Sequence, residues 1–159
     1  MPVPSVSSSY FPINGLSGDP GAGRLVETLK KNSGKVYMAA DFSVDSVTGK
    51  QTMLLPPEQM RQHVGLINTN VWINGFNTVW HGRFANRVGD LVVSSIASEM
   101  SGIRGAVGEE FPIDYSVRLA SIPYLSAGEI IRNEASIKQV KGRNIIIGTN
   151  ATGIGSRYA

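Results

Sequence analysis

Cysteine is absent from the 159 residues, which excludes disulfides, thiolate nucleophiles and sulfur-ligated metal sites. Charge is scarce too: 17% of residues are charged, against about 25% in average chains. Such a surface is rich in neutral polar groups and repels copies of itself weakly. Long apolar runs are also missing. Stretches such as 36–40, 91–93 and 145–147 fall far short of the roughly 20 residues that a membrane span needs. No basic segment followed by an apolar one heads the sequence, so the expectation is a soluble chain made in the cytoplasm, with a virus particle as a further location and no membrane partner.

Recognisable catalytic chemistry is missing as well. His63 and His81 are the only histidines, and their separation matches no metal-ligand spacing. There is no Gly-x-Ser-x-Gly elbow. The adjacent pair Glu109-Glu110 would diverge on a strand, so it forms no acid–base dyad by itself. The segment Gly18-Asp-Pro-Gly-Ala-Gly23-Arg24-Leu25 approaches a phosphate-binding loop. Leu25, however, stands where a magnesium-binding hydroxyl is required, and Arg24 where a lysine is usual. Asn150-Ala-Thr152 matches a glycosylation acceptor but lacks a secretory context. The reading is therefore non-enzymatic, with no cofactor and no metal.

What is present is unusual at both ends. Residues 1–23 contain four prolines and a serine run without a lasting helix or strand period, and residues 148–159 are Gly-rich. Segments of this composition bury too little apolar surface to offset their ordering entropy. The simplest partner to hold them is a neighbouring subunit. The chain divides into an extended N-terminal arm (1–23), a single domain (24–147) and a C-terminal tail (148–159). The expected subunit contacts are the apolar residues of the arms, Tyr10, Phe11, Ile13, Leu16 and Tyr158.

Between the arms, the pattern predicts a helix over 24–32, a β-hairpin over 35–55 and a helix over 57–67 opened by Pro57. Asn74-Gly75 predicts a hairpin turn within 68–82. Apolar residues at Phe84, Val88, Leu91, Val92, Ile96 and Met100 follow a helical period, so one main amphipathic helix is expected over 84–101. Alternation predicts a strand over 112–122. Ser126 with Glu129 three residues on forms a capping box for a short helix to about 134, with Ile130 and Ile131 facing inward. Two strands, 136–140 and 144–148, are expected to close the domain as a hairpin. The fold class is α+β: a largely antiparallel sheet of hairpins packed by the 84–101 helix, with extended arms.

Net charge is +3 overall, and residues 132–159 carry five basic groups against Glu134. Lys138, Lys141 and Arg143 would concentrate on the last hairpin. With the aromatics Trp72, Phe76, Trp80 and Phe84, they suggest an alternative reading as a small nucleic-acid-binding module. An enzyme without a recognisable motif is a third. The leading expectation is a structural subunit of a multi-subunit assembly, a phage or virus particle or a comparable bacterial machine. Its partners would be copies of itself and other subunits.

Overall fold

A computed structural model describes residues 20–44, 47–49, 51–133 and 138–148. The protein is a mixture of helix and strand, with short strands paired two by two. Tyr10, Phe11, Ile13, Leu16 and Tyr158 lie outside the described residues, as do most of both arms.

The first helix, α1, spans Pro20–Lys31. It begins four residues before the expected start, so Pro20 to Gly23 form its first turn instead of part of an arm. Proline suits that turn because its missing N–H has no intrahelical partner there. Ala22 and Leu29 are buried and Val26 is half-buried, the i, i+4, i+7 stripe of a helix lying on a core. Lys30 and Lys31 occupy the last turn, where cations complement the helix dipole.

The expected strand over 35–44 is split at Ala40. Strand β1 (Tyr37–Ala39) pairs in parallel with β4 (Gly65–Ile67), whereas β2 (Asp41–Val44) forms the expected antiparallel hairpin with β3 (Gln51–Leu54). The hairpin and the short helix α2 (Glu58–Arg61) make the crossover that a parallel pair requires. The helix expected over 57–67 thus stops at Arg61. Its second half is strand β4, where Tyr37 stands opposite Gly65. A Cβ on Gly65 would lie 2.5 Å from the Tyr37 ring, so the glycine admits the ring and fixes the pairing. Met60 anchors α2 and is 1% exposed.

The main amphipathic helix is not formed. Residues 81–83 and 85–88 are strands β5 (His81–Arg83) and β6 (Ala85–Val88), followed by β7 (Leu91–Ser94) and a short helix α3 (Ile96–Ser101). Strands β6 and β7 make an antiparallel hairpin whose register places Asn86 opposite Val93 and Arg87 opposite Val92. The first pair is buried and the second exposed, as alternation on a half-covered hairpin demands. Gly89, at a φ of 59°, opens a two-residue turn with Asp90, the Gly-X pattern that matches strand twist. β-Branched Val88, Val92 and Val93 also favour strand over helix. Ser95 caps α3 by accepting a hydrogen bond from the Ser98 N–H, and Gly102 at a φ of 72° ends it.

Residues 68–80 form a loop with a tight turn instead of a hairpin, and the strand expected over 112–122 is replaced by β8 (Glu110–Pro112) and a 3-10 turn at Leu119–Ser121. Strand β8 pairs antiparallel with β5. The capping box is present: helix α4 (Ala127–Arg132) begins at Ser126, whose hydroxyl accepts from the Glu129 N–H while Glu129 accepts from the Ser126 N–H. Ile131 nevertheless points outward and is 84% exposed. The closing strands are not formed, since residues 138–140 are helical and 144–148 have no regular structure.

The core is small. Ala40, Phe42, Val88 and Val93 form its centre, with Leu55, Leu66 and Trp72 packed around them. A single bridge, Asn68 to Ser95, joins the chain just after β4 to the end of β7, and another, Ala85 to Val107, joins β6 to the segment ahead of β8.

Candidate interaction surfaces

Three features of the described residues stand apart from ordinary packing. The first is a polar knot beside the core. Asn68 is 1% exposed, and its backbone joins β4 to β7: its N–H donates to the Ser94 carbonyl at 2.8 Å and its carbonyl accepts from Ile96 at 3.2 Å. Its side chain is used in full. Nδ2 donates to the Ala40 carbonyl at 3.2 Å and, at 3.4 Å, to Oδ1 of Asp41. Oδ1 accepts from Asn86 Nδ2 at 2.9 Å and from the Asn70 N–H at 3.2 Å. Thr69 Oγ1 donates to the other Asp41 oxygen at 3.2 Å. Burial disfavours the Asp41 carboxylate and outweighs these hydrogen bonds, pushing its pKa up to about 6. Asn68 and Asp41 are occupied by hydrogen bonds within the knot, which ties strands β2, β4, β6 and β7 together. Its chemistry is that of a latch.

The second feature is an aromatic platform on the 68–80 loop. The Asn74 carboxamide builds the turn: Oδ1 accepts from the N–H groups of Phe76 and Thr78 and from the Thr78 hydroxyl, at 2.9, 3.1 and 2.9 Å. Backbone bonds from Asn74 to Thr78 and from Asn77 to Asn74 close it, with Asn77 at a φ of 59°. Asparagine tolerates that left-handed conformation better than most residues. The turn holds the rings of Phe76 and Trp80 stacked, 6.0 Å apart and inclined by 22°. Both face water, at 78% and 55% exposure. Nearby, the Tyr115 hydroxyl donates to the Val79 carbonyl. The Arg83 guanidinium lies 4.3 Å from the Trp72 ring centre and is paired with Glu110 at 2.9 Å. The four aromatics singled out in the sequence therefore serve different ends: Trp72 covers the core, Phe84 packs on Phe111 with ring centres 4.9 Å apart, and Phe76 and Trp80 face outward.

The third feature is the C-terminal segment. Beyond Ser98, no residue whose burial is described is buried. Large apolar side chains stand in water there, among them Tyr124, Ile131, Ile146 and Ile147 at 72%, 84%, 64% and 94% exposure.

Lys138, Lys141 and Arg143 are exposed. They sit on the helical residues 138–140 and the turn that follows, not on a hairpin, and the turn is closed by the Arg143 N–H donating to the Val140 carbonyl. From Pro20 onward, the glycine-rich segment that approached a phosphate-binding loop is the first turn of α1 and not a loop. Among the described residues, no three His, Asp or Glu side chains gather into a potential metal site. No helix among them is long and apolar enough to cross a membrane. Comparison with protein-family models, curated proteins and solved structures finds no match.

Sequence reasoning missed the polar knot because its members are distributed over 41–86 and carry no motif. The outward facing of Phe76 and Trp80 had one signal, the Asn74-Gly75 turn between them and the core strands.

Proposed function

We propose that the chain is a non-enzymatic structural subunit of a larger assembly, of the virus-particle or bacterial-machine class, in which its terminal arms bind neighbouring subunits. The observation that carries this reading is the C-terminal segment: some fifty residues (99–148) with no buried member among those described and with large apolar side chains in water. Large apolar side chains left in water are candidates for contact surfaces. Covering side chains such as Ile131 and Ile147 yields about 2–3 kcal/mol each, and a neighbouring subunit would supply that cover. The low charge of the chain removes much of the repulsion that would oppose such contact.

The test is the solution mass of the full chain by light scattering over a range of concentrations. A mass well above the 17.0 kDa of one chain is expected, falling towards it when Ile131, Ile146 and Ile147 are replaced together by glutamate. A 17.0 kDa particle at every concentration refutes the reading.

A further inference from the structure

The geometry of the 74–80 turn points to an acceptor site for the N-terminal arm: we propose that the Phe76–Trp80 platform binds the Tyr10-Phe11-Pro12 segment of a neighbouring copy. This rests on the assembly reading above and names the surface through which it works.

The platform is built, not incidental. Three hydrogen bonds converge on Asn74 Oδ1, and Asn77 adopts a left-handed conformation. The Ile113 N–H donates to the Trp80 carbonyl at 2.9 Å, fixing the far end against the chain that follows β8. All this rigidity presents two stacked rings to water. Rigid aromatics bind at low entropic cost because little side-chain freedom is left to lose, and aromatic anchors commonly dominate contact energy.

The occupant is identified by its chemistry and length. Residues 1–19, ahead of α1, include Pro2, Pro4 and Pro12, and their one charged side chain is Asp19. Proline restricts the residue before it to extended backbone, and in the sequence Phe11 precedes Pro12. Proline-bearing extended segments dock on aromatic-lined surfaces for this reason. Charge agrees as well: residues 74–80 hold no charged side chain, so the surface suits an uncharged segment better than a phosphate chain. Fully extended, residues 1–19 reach about 60 Å, more than the roughly 40 Å diameter of a globule of this chain length. The arm is long enough to cross to another subunit.

The experiment compares four full-length chains by sedimentation mass and tryptophan emission: the unaltered protein, Phe76→Ala with Trp80→Ala, Phe11→Ser with Pro12→Ser, and Trp80→Tyr. The first is expected to self-associate. Both double variants should weaken association at least tenfold, while Trp80→Tyr, which keeps an aromatic face, should retain most of it. A synthetic peptide of residues 1–19 should lower the mass of the unaltered protein and shift its emission to the blue. The same peptide with Phe11→Ser and Pro12→Ser should do neither. Circular dichroism of the platform variant should match the unaltered chain, because both side chains face solvent. If the arm variant dissociates but the platform variant associates normally, the arm binds elsewhere: the platform assignment is overturned and the assembly reading stands. An unaltered protein that is monomeric throughout overturns both.

Discussion

Asn86 Nδ2 donates to Asn68 Oδ1 at 2.9 Å, and both residues are buried, at 5% and 1% exposure. Two carboxamides inside a core this small are costly unless every polar atom is paired. Asn68 meets that condition by reaching the Ala40 carbonyl, Asp41 and the Asn70 N–H as well.

Removing the hub should therefore be damaging. Asn68→Ala strands Asn86 Nδ2 and the Ala40 carbonyl without partners, and an unsatisfied buried group costs about 1–3 kcal/mol. Urea denaturation should show a loss near the top of that range, and Asn68→Ala with Asn86→Ala should cost less than the sum of the single changes.

Asp41 gives the fold a pH dependence. Its pKa rises from 3.8 unfolded to about 6 folded, so the folded state prefers the neutral carboxyl. Its contribution is fully present below about pH 4 and is lost as pH rises through 6. At about 1.4 kcal/mol per pKa unit, the loss approaches 3 kcal/mol at neutral pH. Asp41→Asn should flatten the stability profile between pH 4 and 7 and stabilise the protein at pH 7. Thermal melts of both chains across that range measure it.

The hairpin and the helix readings of 84–101 diverge at single residues. Val88 is 0% exposed and Leu91 is 41% exposed. Val88→Ala should cost about 2 kcal/mol for lost burial and packing, and Leu91→Ala well under 1 kcal/mol. Gly89→Ala should cost about 1–2 kcal/mol, because its φ of 59° is strained for any residue with a Cβ. Denaturant midpoints of the three variants decide between the two structures, since in a helix Gly89→Ala would stabilise.

The basic groups provide the test of the nucleic-acid alternative. A single-stranded DNA probe at low ionic strength should show no retention that depends on Lys138, Lys141 and Arg143. Salt-sensitive binding that disappears when the three are changed to glutamine would favour that alternative.

Local signals with one physical interpretation were readable in the sequence. The Ser126–Glu129 capping box is one, because both partners lie within a single turn. The helix over 24–31 and the β2–β3 hairpin are others. Signals with two interpretations failed. Phe84, Val88, Leu91 and Val92 satisfy a helical period, yet they belong to strands or to the residue between them. Periodicity records spacing, whereas the Gly89-Asp90 turn and the neighbouring strand set the direction of the chain. Alternation over 112–122 failed for a related reason: β5 supplies a partner only for Glu110–Pro112, and a strand without a partner leaves its backbone groups unpaired.

The sequence by itself determined what depends on composition and near neighbours: no disulfide chemistry, low charge and a capping box set within four residues. Tertiary structure alone decided which apolar residues are covered. Val93 is buried and Val92 exposed because successive strand residues face opposite sides of the β6–β7 hairpin and the core lies against one side only, and Asn68 is buried because residues of β2, β6 and β7 supply its partners. Burial depends on surfaces that approach from elsewhere in the chain, and neither residue type nor spacing encodes which surface arrives.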